Sequence, residues 1–222
     1  MDKDKVNTGN HVEDKELIIN ARKPVGELGQ QILDRMNESH ERMAQWGVTH
    51  LDIKKDSKIL DIGCGGGRNI QRFSQLISDE GRVVGIDYSE VSVEKSFKLN
   101  KEAIERGIVN VLHESVSEMP FYDGTFDIVT GFETIYFWPD LINDLREVNR
   151  VLKKGGIVFF CNEAVYMEGE MEKYDELVEL LDMKIYPEEV LKESLEIAGF
   201  GDFKSYVNDE NNWICITARK VQ

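Results

Sequence analysis

The chain has 222 residues, 41% of them hydrophobic, and a formal net charge of −15, enough for one sizeable core and a balance that repels polyanions such as nucleic acid. No run approaches the roughly 18 to 20 consecutive apolar residues of a membrane-spanning helix, and Met1 to Asn10 lack an apolar leader core, so a soluble cytoplasmic protein with no membrane partner is expected. Cys64, Cys161 and Cys215 sit in or beside apolar strand patterns without metal-ligand spacing, which predicts buried free thiols and neither disulfides nor a metal.

In chain order, residues 1–24 show little apolar periodicity and balanced charges, and read as a mostly flexible tail. Ile32, Leu33, Met36, Met43 and Trp46 recur at helical spacing and predict one amphipathic helix from Gly29 to Trp46. Strand and helix signals then alternate: strand 58–63, helix 67–77, strand 82–87, helix 90–106, strand 109–114, strand 126–132, helix 140–152, strand 156–162. That alternation is an α/β doubly wound sheet. A parallel crossover needs a long connection, so 114–125 must cross the sheet edge or carry a short helical turn. Helices follow over 170–182 and 187–198, the second with Pro187 in its first turn and Gly199 as its stop. Strands 202–207 and 213–219, joined by the turn-rich 208–212, close the chain as a hairpin. Between Glu163 and Glu196 twelve acids face three lysines, which reads either as a solvated surface or as the border of a mouth favouring neutral or cationic substrates.

The chemistry is concentrated in Ile59-Leu60-Asp61-Ile62-Gly63-Cys64-Gly65-Gly66-Gly67-Arg68, an apolar strand running through an acid into a glycine-dense turn and then a helix. Glycines allow positive φ and close backbone approach, and the next helix begins with free N–H groups. Dinucleotide loops place a third glycine where Arg68 stands. Asp61 suits an ammonium or sulfonium better than a pyrophosphate, which favours S-adenosylmethionine over NAD. Arg82-Val83-Val84-Gly85-Ile86-Asp87 ends a second strand in an acid suited to ribose hydroxyls, followed by Tyr88. Gly131 and Phe132, ending the fourth strand, should face the methyl-bearing sulfur.

Residues 57–163 resemble the class I S-adenosylmethionine-dependent methyltransferases, in particular the ubiquinone/menaquinone-biosynthesis-like group. The matching pieces are Ile59 to Gly67, Gly85-Ile86-Asp87, Met119-Pro120-Phe121, Phe126-Asp127-Ile128-Val129, and Glu147 to Gly156. The resemblance implies a Rossmann-like seven-stranded sheet with the last strand antiparallel. It implies a single methyltransferase domain over 25–222, with a helical lid at 25–50, a cofactor-binding core at 57–163, and acidic helices and a hairpin at 164–222. It also implies a cofactor site of Asp61, Gly63, Cys64, Gly65, Gly67, Asp87 and Tyr88, with Val116 and Ser115 at the adenine. Ser115 stands where relatives commonly carry Asp.

For the methyl acceptor, Asn37 and His40 share a helix face, where His40 could act as base or hydrogen-bond donor. Tyr136, in Tyr136-Phe137-Trp138-Pro139-Asp140, offers an aromatic wall with a hydroxyl, and Glu163 and Tyr166 are further polar candidates. The expected reaction is O-methylation of a carboxylate or hydroxyl on a small molecule or short peptide. The alternatives are C-methylation of a quinone-type precursor, a non-catalytic cofactor-binding subunit, and an NAD-dependent oxidoreductase, against which the glycine spacing and Asp61 argue.

Overall fold

The computed structural model describes residues 15–164, 166 and 171–221. Strands β1 (Lys58–Ile62), β2 (Arg82–Asp87), β3 (Val109–His113), β4 (Phe126–Phe132), β5 (Leu152–Asn162), β6 (Phe200–Asn208) and β7 (Trp213–Lys220) form one sheet in the order β3-β2-β1-β4-β5-β7-β6. β1 to β5 run parallel, and β7 is antiparallel to both β5 and β6. This is the Rossmann-like sheet expected, with its last strand reversed.

Strand residues alternate between the two faces, and each face carries its own buried cluster. Leu60, Ile62, Ile86, Val129, Val158 and Phe160 point to one side, against α6 (Leu141–Val151) and α8 (Glu188–Ile197). Ile59, Val83, Ile128, Phe159 and Cys161 point to the other, against α2 (Glu41–Val48) and α3 (Arg68–Leu76). Because helices cover both faces, β1 is buried at every position after Lys58, which is why it reads as an apolar run. Within that run Asp61 is the exception, and it sits beside Thr130 of β4.

Three expectations need correction. The helix over 29–46 is two, α1 (Gly26–Ser39) and α2, broken at His40, whose φ of −86° and ψ of 1° leave the helical region. The helix over 90–106 is also two, α4 (Glu90–Leu99) and α5 (Lys101–Glu105). At the break the buried Asn100 amide donates to the carbonyls of Gly67 (3.1 Å) and Ser96 (2.9 Å), a side-chain bond that competes with the helix ladder. The helix over 170–182 is a 3-10 turn, Met171–Tyr174, followed by α7 (Asp175–Leu181), which stops at Asp182 in a left-handed conformation (φ 47°). Of the two courses open to the connection 114–125, the structure has the one without a helical turn, leading from the edge strand β3 to β4. The Arg150 guanidinium clasps this connection, donating to the carbonyls of Met119 (2.9 Å) and Phe121 (2.6 Å).

Of the tail expected over 1–24, residues 1–14 lie outside the described residues. Residues 15–19 are helical, Arg22 pairs with Asp182 at 2.6 Å, and the Ser89 hydroxyl donates to the Pro24 carbonyl at 2.6 Å. Among the described residues no helix is long and apolar enough to cross a membrane, and no three His, Cys, Asp or Glu side chains are grouped to hold a metal. Cys64, Cys161 and Cys215 are buried free thiols.

Candidate functional site

The carboxyl ends of β1, β2 and β4 open into a cavity of about 690 Å³, at the point where strand order reverses about β1. The loop leaving β1 turns sharply, with positive φ at Gly63 (67°), Gly65 (51°) and Gly67 (81°). The three glycines serve different neighbours. A Cβ at Gly63 would lie 2.3 Å from the Thr134 hydroxyl, and one at Gly67 would lie 2.3 Å from the Ser96 hydroxyl. A Cβ at Gly65 would meet only Leu33 of α1, at 3.6 Å, and the loop lines the cavity at Gly65 as it does at Gly63 and Gly66.

Two buried carboxyls lie under this loop. Asp61 does not line the cavity, because its Oδ1 turns to accept the Thr130 hydroxyl at 2.7 Å. Burial pushes its titration up to about 7 against that bond and the distant Arg72 cation, so a positive charge brought near would restore the ionised form. Asp87 lines the cavity and accepts the backbone N–H groups of Gly65 and Ser89, each at 2.9 Å. Burial raises it as well, opposed by those two bonds. Beside them Cys64 lines the wall, its thiol raised by burial, and the Tyr88 hydroxyl donates to the Arg22 carbonyl, drawing residues 22–24 over β2. Val116 and Ser115 line the far end, where the Ser115 hydroxyl accepts the Ser117 N–H at 3.2 Å. Phe132 lines the cavity, whereas Gly67 and Gly131 do not, Gly131 making room for the Thr134 methyl.

The α1–α2 pair forms the roof. Asn37 rests on the loop, since a Cβ at Gly66 would come within 2.4 Å of its Nδ2. His40, at the break between the helices, lines the cavity, and burial lowers its titration so that the imidazole is neutral at pH 7. Glu41 ties the roof to α3 through Arg68 (3.1 Å) and Arg72 (2.9 Å). These two arginines and Glu41 also border the cavity, and sequence reasoning gave them no role.

The end of β4 holds a second feature that sequence reasoning missed. Glu133 has a φ of 54°, a strained value for a residue with a side chain, and lines the cavity. Its Oε1 accepts the Glu163 N–H and lies 3.2 Å from the Tyr136 hydroxyl. Burial, reinforced by the Glu163 charge, pushes its titration up to about 8. The Tyr136 hydroxyl in turn accepts the Ala164 N–H at 3.1 Å and is raised well above its ordinary range by burial. Tyr136, Phe137 and Trp138 form an aromatic wall, continued by Leu177, Leu181 and Met183 of the acidic segment. Tyr166 is 41% exposed and lies outside the cavity lining.

Residues 60–160 match the protein family described as Methyltransferase domain. A demethylmenaquinone methyltransferase of Bacillus cereus is 37% identical over 121 residues, 54% of this chain and 51% of that protein. The chain thus spans about half the length of the curated relatives it matches. An S-adenosylmethionine-dependent methyltransferase from Aquifex aeolicus superposes with a TM-score of 0.70 at 18% identity, over 85% of this chain and 97% of the other. A geranyl diphosphate C-methyltransferase from Streptomyces coelicolor, solved with Mg²⁺, geranyl diphosphate and S-adenosylhomocysteine, gives 0.72 at 14% identity, over 90% and 86%. At these identities the two structures speak for the fold.

Proposed function

We propose that this chain, whose core is a class I S-adenosylmethionine-dependent methyltransferase domain, moves the cofactor's methyl group onto a small molecule or short peptide at an oxygen atom. One observation carries the reading. Two buried carboxyls, Asp61 and Asp87, close β1 and β2 beneath a loop that lines a cavity at Gly63, Gly65 and Gly66, with room beyond it.

The residues present suit a cationic, ribose-bearing ligand. Asp87, with two N–H groups fixing its carboxylate, offers its remaining lone pairs to vicinal hydroxyls, while Asp61, behind the cavity wall, supplies negative potential for an ammonium. Val116 and Ser115 would border the adenine. When bound, the cofactor supplies an electrophilic methyl group on a positively charged sulfur. Met36, Asn37 and His40 close the cavity from above and exclude water, and the aromatic wall orients the acceptor. Alignment of that kind supplies on the order of 7 to 11 kcal/mol of barrier reduction.

The demethylmenaquinone methyltransferase likeness favours a second reading, C-methylation of a quinone-type precursor, although it covers mainly the cofactor-binding half. Incubation with S-adenosylmethionine carrying a deuterated methyl group and a small-molecule extract, followed by mass spectrometry, tests the proposal. A labelled methyl ether or ester supports it, and a label on ring carbon supports the second reading. Cofactor binding with no labelled product from several extracts would identify a non-catalytic cofactor-binding subunit.

A further inference from the structure

We propose that Glu133 receives the acceptor's proton, that the acceptor is an ionisable hydroxyl on an apolar scaffold, a phenol or an enol, and that Glu133 and Glu163 together exclude carboxylate acceptors. This rests on the methyltransferase reading and narrows it.

Three features place Glu133 in this role. First, its left-handed φ of 54° turns the chain at the carboxyl end of β4 and sets the residue on the cavity wall, a conformation with an energetic cost that a glycine would avoid. Second, its bonds to Glu163 N–H and Tyr136 use Oε1, which leaves Oε2 without a partner among the described residues. Third, the Tyr136 hydroxyl has one proton and two acceptors at 3.2 Å, Glu133 Oε1 and the Ala164 carbonyl. A protonated Glu133 resolves that competition by donating to the tyrosine oxygen, so the triad is built to hold the carboxyl in either state. The titratable groups facing Glu133 are Glu163, Tyr136 and the Cys161 thiol, and the Glu163 carboxyl is itself raised by burial and bonded by the Trp213 indole.

The consequence for the acceptor is electrostatic. A carboxylate set against Tyr136 and Trp138 would face two like charges once Glu133 ionises. A hydroxyl instead donates to Glu133. As its oxygen pair forms the new bond to the methyl carbon, the carbon–sulfur bond breaks and leaves its pair on sulfur, and the hydroxyl proton passes to a Glu133 oxygen. Carbon methylation beside a ring hydroxyl would use the same proton acceptor.

A matched pair of probes tests this: 1-naphthol and 1-naphthoate share a scaffold and differ in the group presented. Binding of each to the S-adenosylhomocysteine complex is measured by calorimetry at pH 8.5, above the value of about 8 that burial and Glu163 give Glu133. The naphthol should bind at least about tenfold more tightly than the naphthoate, and both Glu133→Gln and Glu163→Gln should narrow that ratio. Naphthoate binding as tight as naphthol, a ratio unchanged in both variants, or no binding of either probe would overturn the inference. Absence of S-adenosylhomocysteine binding in the wild type would instead overturn the methyltransferase reading.

Discussion

Asp61→Asn should make the free protein more stable and a poorer binder of the cofactor. The buried carboxyl titrates at about 7 against an ordinary value of 3.8, because burial disfavours its charge more than the Thr130 hydroxyl supports it. Between those two values the folded chain holds a proton that the unfolded chain has released, so stability is lost as pH rises through that window. At 1.36 kcal/mol per pH unit, the deficit from this one group is about 2 kcal/mol at pH 5.5 and about 4 kcal/mol above pH 8. An asparagine keeps the acceptor for Thr130 and does not titrate, so its advantage over wild type should grow by about 2 kcal/mol between pH 5.5 and 8.5. Asp87 and Glu133 are common to both proteins and largely cancel. Urea unfolding of both proteins at the two pH values reads the difference directly. Calorimetry should then show S-adenosylhomocysteine affinity reduced by up to about tenfold, because Asp61 lies behind the cavity wall and acts on the ligand's ammonium through its charge rather than by direct contact. A stability difference independent of pH would refute the assignment of a buried, strained charge to Asp61.

The roof should behave as a lid: hydrogen exchange in Gly26–Ser39 should slow on addition of S-adenosylhomocysteine, and Glu41→Gln, which loses its links to Arg68 and Arg72, should speed exchange there without ligand. Equal exchange with and without ligand would make the helix a fixed support. His40 is expected to position the acceptor, so His40→Gln should keep turnover within about tenfold of wild type. A loss of about 10²- to 10⁴-fold, together with disappearance of an acidic limb from the rate profile, would assign the base to His40 in place of Glu133.

Much of the sheet was legible because β-branched runs end in glycine or acid. Arg82–Asp87 and Phe126–Phe132 occupy the bounds read from sequence, and Asp61 and Asp87 stood out as charges terminating apolar strands. The same signal was present at Glu133, one residue past Gly131-Phe132. Its meaning, however, depends on Glu163, thirty residues away along the chain, and on a left-handed turn that no local pattern dictates. The break at His40 was hidden because the apolar positions Met36 and Met43 keep helical spacing across it. The Arg150 clasp was equally invisible, since its partners on 119–123 are backbone carbonyls and a surface aspartate brought close only by the fold.

Titration calorimetry with S-adenosylhomocysteine and NAD tests the central claim most directly, because it asks which ligand the Asp61–Asp87 site was built to hold. The account predicts that S-adenosylhomocysteine binds and NAD does not, and that Asp87→Ala weakens the binding by roughly 1.5 to 3 kcal/mol. NAD binding, or an S-adenosylhomocysteine affinity indifferent to Asp87→Ala, would contradict it.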